Sequence, residues 1–302
     1  NPRRLALPVL ALIASSLAVR TFTQVGLRPD GAAGTARDVL LITSAIALLA
    51  GALAFAAIVW RTLAHPDSKG EATAYFFCAG AIGFVAAAAL NLAIVIEMVR
   101  DGLAAAPNAK QFPLVFLEQY GFTLTFLGGV ALRAVPTFTG RPRPNVPARI
   151  VAAMLAAGVA TFATAQLWGA YDAPTATSMR IASAGLLLAA AAFAAIAWMS
   201  GVFHPRANRV AAASQAPFWF VRSGMTWLLV AAVLSAWYAT PTLIDGRVPD
   251  AYAIDAVRHV LAVGVLSMMV FGMAMMIVPE FAGRRLQHPA VGPLFVAMVV
   301  AM

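Results

Sequence analysis

Asp255 and His259 stand four residues apart. On a helix that is one turn, so the aspartate can hold one nitrogen of the imidazole. An imidazole fixed in this way presents its other nitrogen as a neutral ligand to haem iron or copper. Further along lie Met268, Met269, Met273, Met275 and Met276, soft thioethers suited to the same metals. Of these, Met273 falls near the His259 face, but fourteen helical residues cover about 21 Å, so the two cannot grip one metal together. The five methionines point in several directions, and most read as packing or lipid-facing residues. A second group is Glu118, Gln119 and Tyr120. Glu118, Thr125, Gly129 and Arg133 fall within about 60° of one another at 100° per residue, a polar stripe that lines a crevice or serves as a packing face. Arg133 and Arg222 are cations placed to meet propionates, lipid phosphate or Glu280. His65, His204 and His288 each precede proline and read as helix caps or interfacial residues. The lone Cys78 can form neither an internal disulfide nor a CxxC site. No Ser/His/Asp set, phosphate-binding loop or pair of catalytic carboxylates is present.

The elements that carry these residues follow from composition. Of 302 residues, 62% are hydrophobic and 11% charged, with a mean hydropathy of +0.83. Soluble domains carry roughly 25% charged residues, so this chain cannot coat itself for water. It reads as an all-helical protein of the lipid bilayer, and a disordered chain, a disulfide scaffold and a nucleic-acid partner are excluded. A span needs about 20 apolar residues. Eight such stretches run near 5–20, 38–60, 73–99, 112–138, 147–170, 175–200, 217–240 and 252–281, and a ninth begins at Val291. The net charge of +9 reflects loops, not a nucleic-acid surface. One set of loops holds Arg3, Arg4, Arg61, Lys69, Arg141, Arg143, Arg149, Arg206, Arg209, Arg284 and Arg285. The other holds eight basic residues and is richer in acid, with Asp30, Asp38, Asp101, Asp172, Asp245, Asp250 and Asp255. The positive-inside rule puts the first set in the cytoplasm, as for a multi-pass protein of a bacterial inner membrane. No cleavable signal is visible. Within the spans His259 and Glu118 lie at similar depth, and an ionisable group there is a functional candidate. For His259 two readings stand: a metal ligand, or an imidazole hydrogen-bonded to the carboxylate of Asp255 or Glu118.

The sequence also repeats. Ala54–Trp60 (AFAAIVW) recurs as Ala192–Trp198 (AFAAIAW), His65-Pro66 as His204-Pro205, Tyr75-Phe76-Phe77 as Phe218-Trp219-Phe220, and Val135–Arg141 (VPTFTGR) as Val278–Arg284 (VPEFAGR). The offset grows from 138 to 143 residues, about four helices. The reading is parallel repeats of four transmembrane helices: 1–144, 145–288, and a truncated start over 289–302, with a further unit expected before Asn1. In the VPxFxGR element, proline should stop or kink the helix, glycine terminate it and arginine reach the interface.

Arg133–Gly140 (RAVPTFTG), Arg258–Gly264 (RHVLAVG) and Val278–Arg284 resemble the NnrS family of haem- and copper-containing polytopic membrane proteins. The resemblance implies b-type haem, with copper as a further cofactor, and a role in nitrogen-oxide handling or membrane electron transfer. It points to His259 as the ligand, with Arg133, Arg222 and Met273 beside the cofactor and Glu118, Tyr120 and Asp255 in support. Further ligands would come from other membrane subunits or another segment of the same polypeptide. Two departures are plain: the family's His-x-His-Glu-Met segment is not found, and Phe281-Ala282-Gly283-Arg284 lacks the family's histidine. The rival readings are an anchoring subunit of a respiratory membrane complex and a small-solute transporter using Glu118, Arg133 and Arg222.

Overall fold

The computed structural model describes residues 2–26, 31–65, 71–139, 141–172, 174–204, 215–246, 251–282 and 291–300. Long runs of Ala, Leu, Val and Ile form helices throughout, and among the described residues there is no strand. Helix α1 covers Pro2–Gly26, α2 Gly31–Leu63 and α3 Thr73–Arg100. The fourth span is α4 (Asn108–Phe116), a π-helical segment over Leu117–Leu124, and α5 (Thr125–Thr139). After it come α6 (Val146–Asp172), α7 (Ala176–Met199) and α8 (Gln215–Asp245). The next span repeats the plan of the fourth: α9 (Ala251–His259), a second π-helical segment over Val260–Ser267, and α10 (Met268–Ala282). Helix α11 covers Val291–Val300. Among the described residues, eight spans are long and apolar enough to cross a membrane. Leu7, Ile82, Val233 and Trp237 point outward and are each more than 65% exposed. Water would not tolerate such a surface, whereas lipid matches it. The chain is a multi-pass, all-α membrane protein.

The main core lies among α3, the fourth span, α6, α7 and α8, with Phe76, Leu132, Leu155, Phe193 and Ile196 fully buried. Helices α6 and α7 approach most closely where Gly158 and Gly185 face each other; a Cβ on Gly158 would lie 2.7 Å from the Gly185 carbonyl oxygen. Small residues let membrane helices touch backbone to backbone and gain dispersion there. Helix α2 adds smaller apolar contacts with α3 through Leu41, Ala45 and Val95 and through Leu48, Ala52 and Ala88.

Polar contacts define two ends of the bundle. At one, Arg37 donates to the carbonyl oxygens of Leu103 and Ala104 at 3.1 and 2.9 Å. Lys110 pairs with Glu97 and lies 4.3 Å over the Tyr171 ring. Arg180 donates to Ile244 O at 3.2 Å, and Arg258 sits 4.7 Å over the Phe112 ring. Asp101, Asp172 and Asp245 flank these contacts. The Asp101 carboxyl, outside the membrane-spanning segments, is held below its usual range by a hydrogen bond from Arg100. At the other end Glu71 receives Arg143 at 2.8 Å and Arg133 at 3.4 Å, and Arg149 lies 5.5 Å over the Tyr75 ring. Lys69, Arg206, Arg209, Gly140, Gly283–Pro289 and the side chains of Met276 and Glu280 lie outside the described residues, as does the boundary expected after residue 288. The boundary expected after residue 144 falls in the connector between α5 and α6.

Of the two effects expected of proline, a stop or a kink, the stop is corrected. Proline does not stop the fourth span: the helix passes through Pro136 to Thr139, and through Pro279 to Ala282 in the eighth. A proline deprives one carbonyl of its i−4 partner, and the rest of the turn persists around the buried Val135 and Pro136. The two π-helical segments had no counterpart in the periodicity. Each contains an extra residue per turn, and nearby hydroxyls satisfy loosened carbonyls: Thr123 donates to Glu118 O, Thr125 to Tyr120 O, and Ser267 to Ala262 O.

Candidate functional site

His259 stands where α9 passes into the second π-helical segment, on an exposed face shared with Val263. Its Nδ1 lies 3.0 Å from the backbone carbonyl oxygen of Asp255. A carbonyl only accepts, so Nδ1 carries a proton, and in the neutral ring Nε2 is then the nitrogen with the lone pair. The expected support from a carboxylate is therefore corrected. The Asp255 carboxylate turns to Arg258 at 3.3 Å, and it is the Asp255 main chain, one turn below, that holds the ring.

The hydrogen bond seen at the His259 ring does not involve Glu118. Glu118 is half-buried on the fourth span, within electrostatic reach of Arg20 on α1. Arg20 in turn donates to Asn91 Oδ1 on α3, giving a polar group of three inside the first four spans. Arg20 and Asn91 escaped the sequence reading, although an asparagine in the middle of an apolar span is a visible signal. The polar stripe is dispersed, because the extra residues of the π-helical segment rotate the turns beyond it. Thr125 is buried and bonded to its own helix, Gly129 packs on Phe76 and Phe77, and Arg133 is exposed beside Glu71.

Tyr120 faces away from Glu118. Its ring is buried, stacked 4.1 Å from Phe116, with its hydroxyl toward Ser235 of α8. Arg222 is exposed on α8, and among the described residues no side-chain partner is seen for it. Met268, Met269 and Met273 are buried, and Met269 packs on Gly224 of α8. They are core residues of the α8–α10 contact. Among the described residues, no three His, Cys, Asp or Glu side chains converge on one point.

The structure also contains a cavity of about 450 Å³ between the fourth span, α6, α7, α8 and α9. Phe112, Phe116 and Phe162 form aromatic walls, Gln119, Gln166, Ser183 and Ser235 add neutral polar groups, and Arg258 stands at one end. The Gln119 Oε1 atom is buried without a hydrogen-bond partner. The cavity reaches the bundle end that carries Asp101, Asp172 and Asp245, where Asn108, Pro174 and Thr242 border it. Sequence reasoning missed it because its lining comes from five helices and includes no strongly catalytic residue type. Two glutamines and two serines within apolar spans were the available hint. No family model matches the chain, and neither a curated protein nor a solved structure is similar to it.

Proposed function

We propose that this chain is a membrane protein that binds b-type haem through His259, in the service of nitrogen-oxide handling or electron transfer in the membrane. One observation carries the reading. The main chain of Asp255 accepts from Nδ1 of His259, and in the neutral ring this leaves the lone pair on Nε2 of an exposed residue. This is the ring state that ligates haem iron or copper, and the hydrogen bond to Nδ1 raises its basicity. The donor set fits one axial position. Buried Met273 does not offer the second, so that ligand would come from another chain or segment. Bound haem would supply redox and diatomic-ligand chemistry. This chain's part is to fix the imidazole and to shield one side of it with α9.

The suspected duplication supports the special place of His259. The two π-helical segments are equal in length and start 143 residues apart, the offset that relates Val135 to Val278. The Cβ of Phe76 lies 2.9 Å from where a Cβ on Gly129 would be, and that of Phe220 lies 2.9 Å from the same point on Gly272. These contacts pair Phe76 with Phe220, one residue away from the pairing read from the aromatic triplets. At the same offset His259 corresponds to Phe116, whose ring stacks 3.8 Å from Phe162 inside a helix interface. Where one half carries a packed phenylalanine, the other carries an outward-facing imidazole.

A second reading, an anchoring subunit without a site of its own, is favoured by the pairing of Arg37, Lys110, Arg133 and Arg258 with groups of this chain. The visible spectrum of the purified protein separates the two. Haem binding predicts a Soret band that His259→Ala abolishes or shifts, while His65→Ala leaves it unchanged. A protein produced with ample haem that shows no Soret band, or one indifferent to His259→Ala, overturns the proposal.

A further inference from the structure

We infer that the cavity among the fourth span, α6, α7, α8 and α9 binds a neutral, lipid-soluble ring compound bearing a carbonyl or hydroxyl group, the chemistry of a quinone or quinol head. Its volume of about 450 Å³ lies in the range of small-molecule sites. The walls suit a planar ring. Phe116 and Phe162 stack at 3.8 Å, Tyr120 lies 4.1 Å from Phe116, and a further flat body can extend this aromatic wall.

The polar groups set the class. Gln119 lines the cavity and its Oε1 is buried with no partner, a state that costs free energy in an apolar surround and that a turn of the amide toward a ligand hydroxyl would relieve. A half-turn of the same amide presents its NH₂ to a ligand carbonyl, so both redox forms of such a head can be met. Gln166, Ser183 and Ser235 are neutral as well. Among the described residues the only charged lining residue is Arg258, and it is already engaged by Asp255 at 3.3 Å and by the Phe112 ring at 4.7 Å. No anionic group is therefore required of the ligand, and among the described residues no carboxylate lines the cavity to receive a cation. An acyl chain would fill the apolar volume but leave Gln119 unsatisfied.

The inference is independent of haem, since His259 does not line the cavity. Its test uses the full chain in lipid nanodiscs, titrated calorimetrically with 2,3-dimethyl-1,4-naphthoquinone, which has no free ring position for Cys78 to attack. The comparison ligand is 2,3-dimethylnaphthalene, the same shape without oxygens. The quinone should bind saturably and more tightly than the hydrocarbon. Gln119→Leu should weaken the quinone roughly tenfold, the loss of one hydrogen bond in a dry site, and leave the hydrocarbon unchanged. Ala182→Phe, which places a ring in the cavity, should abolish binding of both, and Ser183→Leu replaces it as the filling variant if Ala182→Phe does not insert. Absence of saturable binding, or binding indifferent to the filling variant, overturns the site. Equal binding of the two ligands, unaffected by Gln119→Leu, overturns the ligand class.

Discussion

Replacing Gly158 by alanine tests how the two central helices are held. The added Cβ would stand 2.7 Å from Gly185 O and 2.8 Å from Ala189 N, both backbone atoms of α7 that no rotamer change can move. Ordinary contact begins near 3.4 Å, so the helices must part by about 0.7 Å. A gap of about 0.5–1 Å forfeits a quarter to a half of each contact's dispersion energy. The cost extends along the interface, where Leu155, Phe162, Ala182 and Ala189 are buried. Overpacking of this kind costs about 1–3 kcal/mol, against a helix-propensity gain of up to about 1 kcal/mol from removing glycine. With the full propensity gain the net loss is about 0–2 kcal/mol, and relative to a glycine-to-alanine change without a clash it is about 1–3 kcal/mol. Gly169 on the same helix is the control. There a Cβ would come no closer than 3.4 Å to Pro174 Cα and Ser178 Oγ, and Gly169→Ala should be neutral or stabilising by up to about 1 kcal/mol. Unfolding in mixed micelles with a rising fraction of sodium dodecyl sulfate, followed by circular dichroism, gives both values. Gly185→Ala should cost about as much as Gly158→Ala, and the double variant less than the sum, because the first separation makes room for the second methyl. If Gly158→Ala proves as stable as Gly169→Ala, the close approach of α6 and α7 is wrong.

Glu118→Leu should destabilise by no more than about 1 kcal/mol in the same assay, because Arg20 loses a carboxylate within electrostatic reach but not in contact and keeps its bond to Asn91. Adding Arg20→Met should recover part of that loss, whereas strict additivity would show that the two charges do not interact. In a Cys78→Ala background, cysteines at Asn108 and Asp172 should react with an impermeant maleimide from one side of the membrane, and a cysteine at Arg143 only from the other. Labelling of all three from one side would defeat the sidedness read from the Lys110–Tyr171 and Arg143–Glu71 contacts.

The number of spans and their limits were legible in the residues themselves. Hydrocarbon demands about 20 apolar residues per crossing and satisfied backbone bonds throughout, so composition alone separates Thr73–Arg100 or Ala176–Met199 from their connectors. The candidate site was legible only as a set of types. His259 and Asp255 were found from their spacing, but not that the main chain, and not the carboxylate, would hold the ring. Glu118 was found as a costly group in a span, but its partner Arg20 lies on another helix, outside any local pattern.

The π-helical segments explain why the projected stripe failed. A 100° projection assumes uniform winding, and the extra residues around Gly121 and Gly264 break it. Tertiary packing decided the rest. Gly83 and Gly121 meet because two helices cross there, and Phe116, Tyr120 and Phe162 stack because the fourth span is clasped by α6. The cavity exists because five helices with small residues at Ala165, Gly169, Ala182 and Ala239 leave a volume that none of them encloses alone. Partition into lipid is a sum over neighbouring residues and can be read along one chain. The partners of a polar atom and the shape of a void depend on residues far apart in sequence, and only the folded bundle brings those together.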